Sequence, residues 1–156
     1  MENLLNKIKK LDNCEVLPPV GMPLIGRPIP SDMEEFYKLC GGLKLFSNKD
    51  YGIQIVAPRE FVLANPVIVG ELYEEDISSS WYIVAKGGSD EIISIDLDPT
   101  RVGRCYDSFY DTHAVAGSCA IVAGSFTELL KKLIENQGRY WYWLKDGFDH
   151  IGDAYD

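Results

Sequence analysis

Apolar residues recur along the chain with two different periods, and these periods predict its secondary structure. Residues 2–11, 31–40 and 125–137 carry apolar side chains at i, i+3 and i+4 and predict three amphipathic helices. Residues 51–58, 67–70, 81–86 and 91–97 are alternating or β-branched and predict strands, and 103–109 and 120–123 add two short ones. Because the strands are grouped between helices, we expect a single α+β domain over residues 1–156. Its mostly antiparallel sheet of five or six strands would be flanked by N-terminal and C-terminal helices.

Two of the helices begin with the pattern of a capping box. Ser31 is followed three residues later by Glu34, and Ser125 is followed at the same distance by Glu128. In a capping box the serine hydroxyl accepts a hydrogen bond from the backbone N–H three residues later, and the glutamate carboxylate accepts one from the backbone N–H of the serine. We therefore expect Ser31 and Ser125 to cap their helices.

The pair Gly41-Gly42 follows the second helix. A phosphate-binding loop places its glycines before a helix, so that the helix N-terminus faces the anion. Here the glycines come after the helix, which instead predicts its end, with Gly41 in a left-handed conformation one residue beyond the cap. We expect the helix to end here and the chain to turn into the sheet.

The two ends of the chain differ in composition from the centre. Residues 1–30 combine the first helix with a proline-rich stretch that can neither continue a helix nor lie in a central strand, so we expect it to pack extended on the sheet. Residues 138–156 form an aromatic, acidic tail that includes Tyr140-Trp141-Tyr142-Trp143. This run is either a contact surface or, more simply, core packing that closes the domain. The turn "GGSD" at 87–90 predicts a hairpin between two strands.

Charge narrows the range of partners. The formal net charge is −9, which argues against nucleic-acid binding, since phosphate neutralisation needs clustered Lys and Arg. No stretch has the apolar length of a membrane span or of a signal-peptide core, and the four cysteines lie far apart without metal-binding spacing. A cytoplasmic protein without cofactor, acting on a basic partner, is the expectation.

A search for catalytic groups finds no defensible set. The two histidines, His113 and His150, stand beside no G-x-S-x-G turn, and we expect His113 to be a solvated loop residue. Asp96 and Asp98 alternate along a predicted strand and could hold Mg²⁺ or Ca²⁺ if further oxygen ligands converged. The simpler alternative is a solvated strand face, and we expect neither a metal site nor an enzyme.

Acidic side chains offer the best candidates for partner contact. The segment "GELYEED" is the densest acidic cluster, and the turn before the 91–97 strand adds two more carboxylates. Such a loop could dock on a basic protein and steer its approach, or simply be solvated. The candidate partner-binding residues are Glu71, Glu74, Glu75, Asp76, Asp90 and Glu91.

Four stretches taken together resemble one family. "IPSDMEEFYKLCGGLKLF" is similar to the opening signature of the SUKH superfamily, which includes fungal cell-wall assembly regulators and bacterial immunity proteins. "WYIVAKGGSDEIISIDL", "GRCYDSF" and "IVAGSFTELLKKLI" follow in that family's order, so the resemblance spans roughly residues 29–137. The proline-rich stretch replaces an acidic helix that the family commonly has at this place.

The resemblance implies a function in protein binding. Bacterial members of the superfamily typically bind and neutralise a toxin, often a nuclease or deaminase, and no catalytic residues come with the likeness. The fungal relatives imply the alternative, a regulatory or scaffold domain for an endogenous partner. An acidic inhibitor would gain association rate against a basic nuclease.

Overall fold

A computed structural model describes residues 1–88 and 90–156. Within them, four α-helices and seven β-strands follow one another along the chain. They are α1 (Glu2–Ile8), β1 (Glu15–Val16), α2 (Ser31–Leu39), β2 (Leu43–Leu45), β3 (Ile53–Ile55), α3 (Ala64–Ile68), β4 (Trp81–Lys86), β5 (Ile92–Asp96), β6 (Cys105–Asp107), β7 (Ile121–Ala123) and α4 (Phe126–Asn136). Short 3₁₀ helices lie at Pro58–Glu60, Ile77–Ser80 and Tyr142–Leu144. None of the helices in these ranges is long and apolar enough to cross a bilayer.

The seven strands form one sheet in which each strand pairs with the next along the chain. All six pairings are antiparallel, so the sheet order is β1 to β7 without a crossover. The predicted α+β fold with an antiparallel sheet is confirmed, with seven strands where five or six were expected. The pairing of β4 with β5 is confirmed as well, whereas the predicted "GGSD" turn includes residue 89, which lies outside the described residues.

A series of aromatic rings joins one face of the sheet to the helices. Tyr82 of β4 stacks on Phe61 at a centroid distance of 5.2 Å, and Phe61 contacts Tyr37 of α2 edge to face. Phe36 then meets Phe126 of α4 at 5.0 Å. Edge-to-face pairs stabilise beyond the area they bury. These rings fix α2 and α4 on the Tyr82 side of the sheet.

The opposite face of the sheet is also covered. Trp81 precedes Tyr82 and therefore points the other way, where its ring contacts Tyr106, His113 and Tyr155. Because both faces are covered, every residue of β5 is buried, including the polar Ser94 and Asp96. An alternating pattern does not distinguish such a strand from one with a solvated face.

The capping box expected at Ser31 is wrong. Pro30 takes the N-cap position and Ser31 enters the first helical turn, where its side chain makes no cap hydrogen bond. Glu34 lies 3.8 Å from Lys38 in an exposed ion pair instead. Pro30 favours this start because its fixed φ suits the entry to a helix and it has no N–H to satisfy.

The cap at Ser125 is confirmed. Its hydroxyl accepts a hydrogen bond from the backbone N–H of Glu128 at 3.1 Å. The Glu128 carboxylate, however, accepts from Gly124 N–H at 2.7 Å, one residue before the expected donor. Asp32 of α2 adds a second connection, since its Oδ2 accepts from both the backbone N–H and the hydroxyl of Thr127. The two helices are thereby held together at their N-termini.

Gly41 ends helix α2 as predicted, but the predicted left-handed conformation is wrong. Cys40 is already extended, and Gly42, not Gly41, has a positive φ of 130°. The Gly41 N–H donates to Leu17 O at 2.9 Å and the Leu17 N–H donates to Gly42 O at 3.0 Å, so the glycines continue the pairing of β1 with β2. A Cβ on Gly41 would collide with the carbonyl oxygen of Pro18. Because the backbone of Leu17 and Pro18 approaches so closely, a side chain has no room at Gly41.

The strand predicted at 67–70 is wrong. Val67 and Ile68 belong to helix α3, which runs through Pro66. Pro66 is the third residue of that helix, where a backbone N–H has no intrahelical acceptor, so the ring removes no hydrogen bond. The five-residue helix then ends at Ile68, and the N–H of the next residue, Val69, donates to Asn65 O.

The two ends of the chain pack on this frame. Met22, Ile25 and Ile29 of the proline-rich stretch contact the core, as expected for an extended segment. Trp141 and Trp143 are buried and stack on each other at 5.3 Å, so the core-packing interpretation is confirmed for the two tryptophans, whereas Tyr140 is exposed. Near the C-terminus, Asp153 forms a β-bridge with Ala120 next to the edge strand β7.

Candidate partner-binding surface

The acidic loop begins where helix α3 ends. Gly70 has a φ of 88°, and its N–H donates to Asn65 O at 3.2 Å, so the chain turns away from the helix. Residues 69–75 are all exposed. Glu71, Glu74 and Glu75 therefore lie at the surface, as the sequence predicts, together with the large apolar side chains of Leu72 and Tyr73.

Asp76 anchors the end of the loop. Its Oδ1 accepts a hydrogen bond from Ser78 N–H at 2.8 Å, and this bond caps the 3₁₀ helix Ile77–Ser80. The same oxygen accepts a hydrogen bond from the Tyr155 hydroxyl at 2.9 Å. Burial alone would raise the pKa of Asp76, but the hydrogen bonds from Ser78 and Tyr155 outweigh it and lower the pKa. Asp76 is thus an ionised structural carboxylate that also borders the exposed acidic loop.

A surface cavity of about 710 Å³ lies between this loop and the segment before β7. Its walls are Val69, residues 72–76, His113 and Ala114, and we call it the acidic cavity. Outside the residues that line it, the Tyr110 hydroxyl donates to Val67 O at 3.4 Å, and both side chains are nearly half exposed. Aromatic and aliphatic anchors surrounded by charge are typical of protein-binding surfaces.

His113 lies at the bottom of the acidic cavity, and its expected place on a solvated loop is wrong. The residue is only 5% exposed, and its ring meets Trp81 edge to face. Nε2 lies 2.7 Å from Asn65 Oδ1. Burial lowers the pKa of His113 to about 4, although the nearby Asp76 opposes this. Nδ1 is buried and has no hydrogen-bond partner among the described residues.

The remaining two candidate carboxylates, Asp90 and Glu91, differ in their exposure to solvent. Asp90 is exposed and is connected to Tyr110, whose N–H donates to Asp90 O at 3.0 Å. Glu91 is buried, so its predicted contact with a partner is wrong. Burial and the neighbouring Asp107 raise the pKa of Glu91, while Asp107 itself accepts from Trp143 Nε1 at 2.9 Å. The Glu91 side chain thus keeps its proton at neutral pH.

Asp96 has a structural role that the sequence did not reveal. It is fully buried, so the expected solvated strand face is wrong. Its two carboxylate oxygens accept five hydrogen bonds, from Ser80 Oγ, Trp81 Nε1, Asp98 N–H, Arg101 Nε and Tyr106 OH. Asp98 lies in the following turn and accepts from Thr100. Within residues 1–88 and 90–156, no group of three or more His, Cys, Asp or Glu is arranged to hold a metal ion.

The chain was compared with protein-family models, curated proteins and solved structures. The model of the SMI1/KNR4 family (SUKH-1) matches residues 24–132, which is more than half of the chain. The chain belongs to this family. It is also 49% identical to the "Immunity protein YokJ" of Bacillus subtilis (strain 168), over the whole of this chain and 96% of that relative. No solved structure matches significantly.

The region that matches the SUKH-1 model contains the whole lining of the acidic cavity. It also contains the Gly41-Gly42 turn and the Asp96 hydrogen-bond network. The SUKH-1 match ends at residue 132, before Tyr155, which holds Asp76 in place. A residue outside the matched range therefore holds one of the lining residues in place.

Proposed function

We propose that this protein is an immunity protein that binds and neutralises a protein toxin in the cytoplasm of the cell that makes it. The observation that carries the proposal is the acidic cavity and its exposed apolar border, in a chain of the SUKH-1 family with a relative named as an immunity protein. The proposed action is steric: a bound inhibitor covers the toxin's working surface.

The proposed partner is a basic protein. The net charge of −9 attracts such a partner at long range, and Glu71, Glu74 and Glu75 concentrate that charge on one exposed loop. A nuclease or deaminase that holds a nucleic acid has a basic surface, so an acidic inhibitor competes directly for it. These two enzyme classes are the proposed targets.

Binding energy in the proposed complex comes from apolar side chains near the carboxylates. Leu72 and Tyr73 border the acidic cavity, and Tyr110 and Val67 continue the exposed apolar surface. Burying a large aromatic side chain at the centre of an interface is typical of the residues that dominate affinity. The carboxylates around them would set the rate of association and the specificity.

Non-enzymatic action is part of the same proposal. His113 is neutral, buried and hydrogen-bonded to Asn65, and Asp96 is fully occupied by five donors. The hydrogen bonds of these two side chains therefore stabilise the fold. We propose that no bond is made or broken in the partner.

Co-expression with the toxin encoded beside its gene tests the proposal. We expect the wild-type protein to restore growth and to co-purify with the toxin. Replacing Leu72 and Tyr73 together by Ala should weaken both effects, whereas the same change at Leu144 and Tyr140, which are similarly exposed elsewhere, should not. Equal melting temperatures of the two double variants establish that both are folded.

Two results would overturn the proposal. One is that the wild-type pair neither co-purifies nor restores growth. The other is that a pull-down from cells without a toxin captures a stoichiometric endogenous partner through the same surface, which would favour the regulatory domain that the fungal relatives suggest.

A further inference from the structure

The direction of the hydrogen bonds below the acidic cavity can be assigned from the Asn65 amide. Its Nδ2 can only donate a hydrogen bond, and it donates to Ser78 Oγ at 3.0 Å. This fixes the orientation of the Asn65 amide, with Oδ1 directed toward His113.

The Asn65 orientation in turn fixes the tautomer of His113. Asn65 Oδ1 can only accept, so Nε2 of His113, 2.7 Å away, must carry the proton. A neutral imidazole has one proton, and Nδ1 is therefore a bare acceptor. It is buried, it has no partner among the described residues, and the His113 side chain lines the acidic cavity.

The polar side chains that line the acidic cavity consist almost entirely of acceptors. Glu74, Glu75 and Asp76 contribute carboxylates, and His113 contributes the lone pair of Nδ1. The residues found to line it include no Lys or Arg in the part of the chain that the structure describes. A buried acceptor without a donor costs free energy, and so does a group of like charges. A cationic group that only donates would remove both costs.

We propose that the acidic cavity receives the guanidinium group of one arginine of the partner protein, with His113 Nδ1 as one acceptor and the loop carboxylates as the others. This inference rests on the proposed function and names the chemical group that the same surface recognises. It assigns His113 as a binding residue, in place of the solvated or catalytic roles that a lone histidine suggests.

Arginine fits the cavity better than lysine does. Its planar fork presents five N–H donors in fixed directions, so it can bond to Nδ1 and to a carboxylate at the same time. Tyr73 offers an aromatic ring on which a guanidinium can stack, and Val69 and Leu72 offer apolar surface for the methylene stem. An ammonium group is more strongly hydrated and bonds less effectively to a site that is partly apolar.

The test is an NMR titration of the full-length, ¹⁵N-labelled protein near neutral pH with three small probes. These are the Nα-acetyl amides of arginine, of lysine and of citrulline, the last being a neutral analogue of arginine. We expect arginine to shift His113 Nδ1 and the amides of residues 72–76 in a saturable way. Lysine should bind several-fold more weakly, and citrulline should cause no specific shift. A long-range ¹H–¹⁵N spectrum of the free protein should show the proton on Nε2.

Two variants test the contribution of individual acceptors. His113→Phe removes the acceptor, and we expect about tenfold weaker binding of the arginine probe, the usual effect of losing a hydrogen bond to a charged group. If that variant does not fold, Glu74→Gln, which changes an exposed side chain, should still weaken the probe several-fold. Glu135→Gln, on an exposed part of α4, is the matched control and should leave probe binding unchanged.

The outcomes separate this inference from the proposed function. A proton on Nδ1, equal binding of citrulline, equal or tighter binding of lysine, or no effect of Glu74→Gln would each overturn the arginine assignment, even if a toxin binds and is neutralised. Conversely, selective binding of the arginine probe would support the assignment even if co-expression with the toxin shows no neutralisation.

Discussion

Arg101 Nε donates to Oδ2 of Asp96 at 2.9 Å, and Asp96 is completely buried. The same oxygen also accepts from Trp81 Nε1 and from the Tyr106 hydroxyl. Replacing Asp96 by Ala would remove the acceptor of four side-chain donors, those of Ser80, Trp81, Arg101 and Tyr106. We expect the free energy of unfolding to fall by about 3–5 kcal/mol, as is usual when one partner of a buried ion pair is removed. Urea denaturation measures it.

The control for this prediction is two residues away. Asp98→Ala changes a carboxylate in the turn after β5 that accepts from Thr100 and lies 3.4 Å from Arg101. It should destabilise much less than Asp96→Ala, because the turn is partly solvated. If the two variants lose similar stability, the Asp96 network does not have the importance that its geometry indicates.

Gly41 should not tolerate a side chain, for a reason different from the one the sequence suggested. A Cβ at this position would meet Pro18 O, which is backbone and cannot move away without disturbing the pairing of Leu17. We expect Gly41→Ala to lower the free energy of unfolding by about 2 kcal/mol or more. Gly88→Ala, where nothing lies within 4 Å of the added Cβ, is the control and should be nearly neutral. Thermal melting of the two variants checks the difference.

Glu91 should make the protein less stable as the pH rises. Burial and Asp107 raise its pKa in the folded state, so the folded protein keeps a proton that the unfolded chain loses near its ordinary value of 4.5. The contribution is fully present below that value and declines as the pH rises toward the folded pKa, by about 1.4 kcal/mol per pH unit. Between pH 7 and 8.5 the wild type should lose about 2 kcal/mol from this source.

Glu91→Gln tests this directly, because the amide resembles the protonated acid in shape. The variant should lack this part of the alkaline decline and be more stable than the wild type at pH 8.5, as measured by urea denaturation at several pH values. Glu75→Gln, an exposed carboxylate, should leave the slope unchanged. Parallel pH profiles for the wild type and Glu91→Gln would contradict a protonated Glu91.

Charge reversal on the acidic loop should slow the association with a basic partner. Glu74→Lys with Glu75→Lys alters two exposed side chains, whereas Asp76 is left unchanged because it anchors the loop. We expect the association rate constant to fall by about tenfold or more at low salt, and its dependence on salt to weaken. Stopped-flow mixing with the proposed toxin partner measures both quantities.

The matched control reverses the same amount of charge elsewhere. Asp146→Lys with Asp149→Lys changes two exposed carboxylates of the C-terminal segment. If it slows association as much as the loop variant does, net charge alone is responsible and the loop is not the docking surface.

Much of the fold followed from local sequence patterns. The helix over residues 125–137 has an apolar face and a serine that caps it, and both features act within a few residues of each other. The segment predicted as a strand at 67–70 is partly helical instead, because Pro66 lies in the first turn of α3, where its ring removes no hydrogen bond. The local pattern does not reveal where that helix begins.

The candidate binding surface was only partly predictable. The exposed loop carboxylates followed from their density in the sequence, but Glu91, equally acidic, turned out to be buried beside Asp107. His113 gave no usable sequence signal, because its neighbours Asn65 and Trp81 are distant in the chain. Burial depends on what packs over a residue, and residues far away in the sequence decide that.

The sequence by itself determined the fold class, the mostly antiparallel character of the sheet, the family resemblance and the acidic loop, since periodicity, turn residues and charge are local properties. Only the tertiary structure decided which polar residues are internal. The second covered face of the sheet placed Asp96 inside, the approach of Leu17 and Pro18 explained Gly41, and the contact of Tyr155 with Asp76 holds one wall of the acidic cavity in place. In each case the free energy of a side chain depends on hydrogen-bond partners and solvent access that are brought together by folding alone.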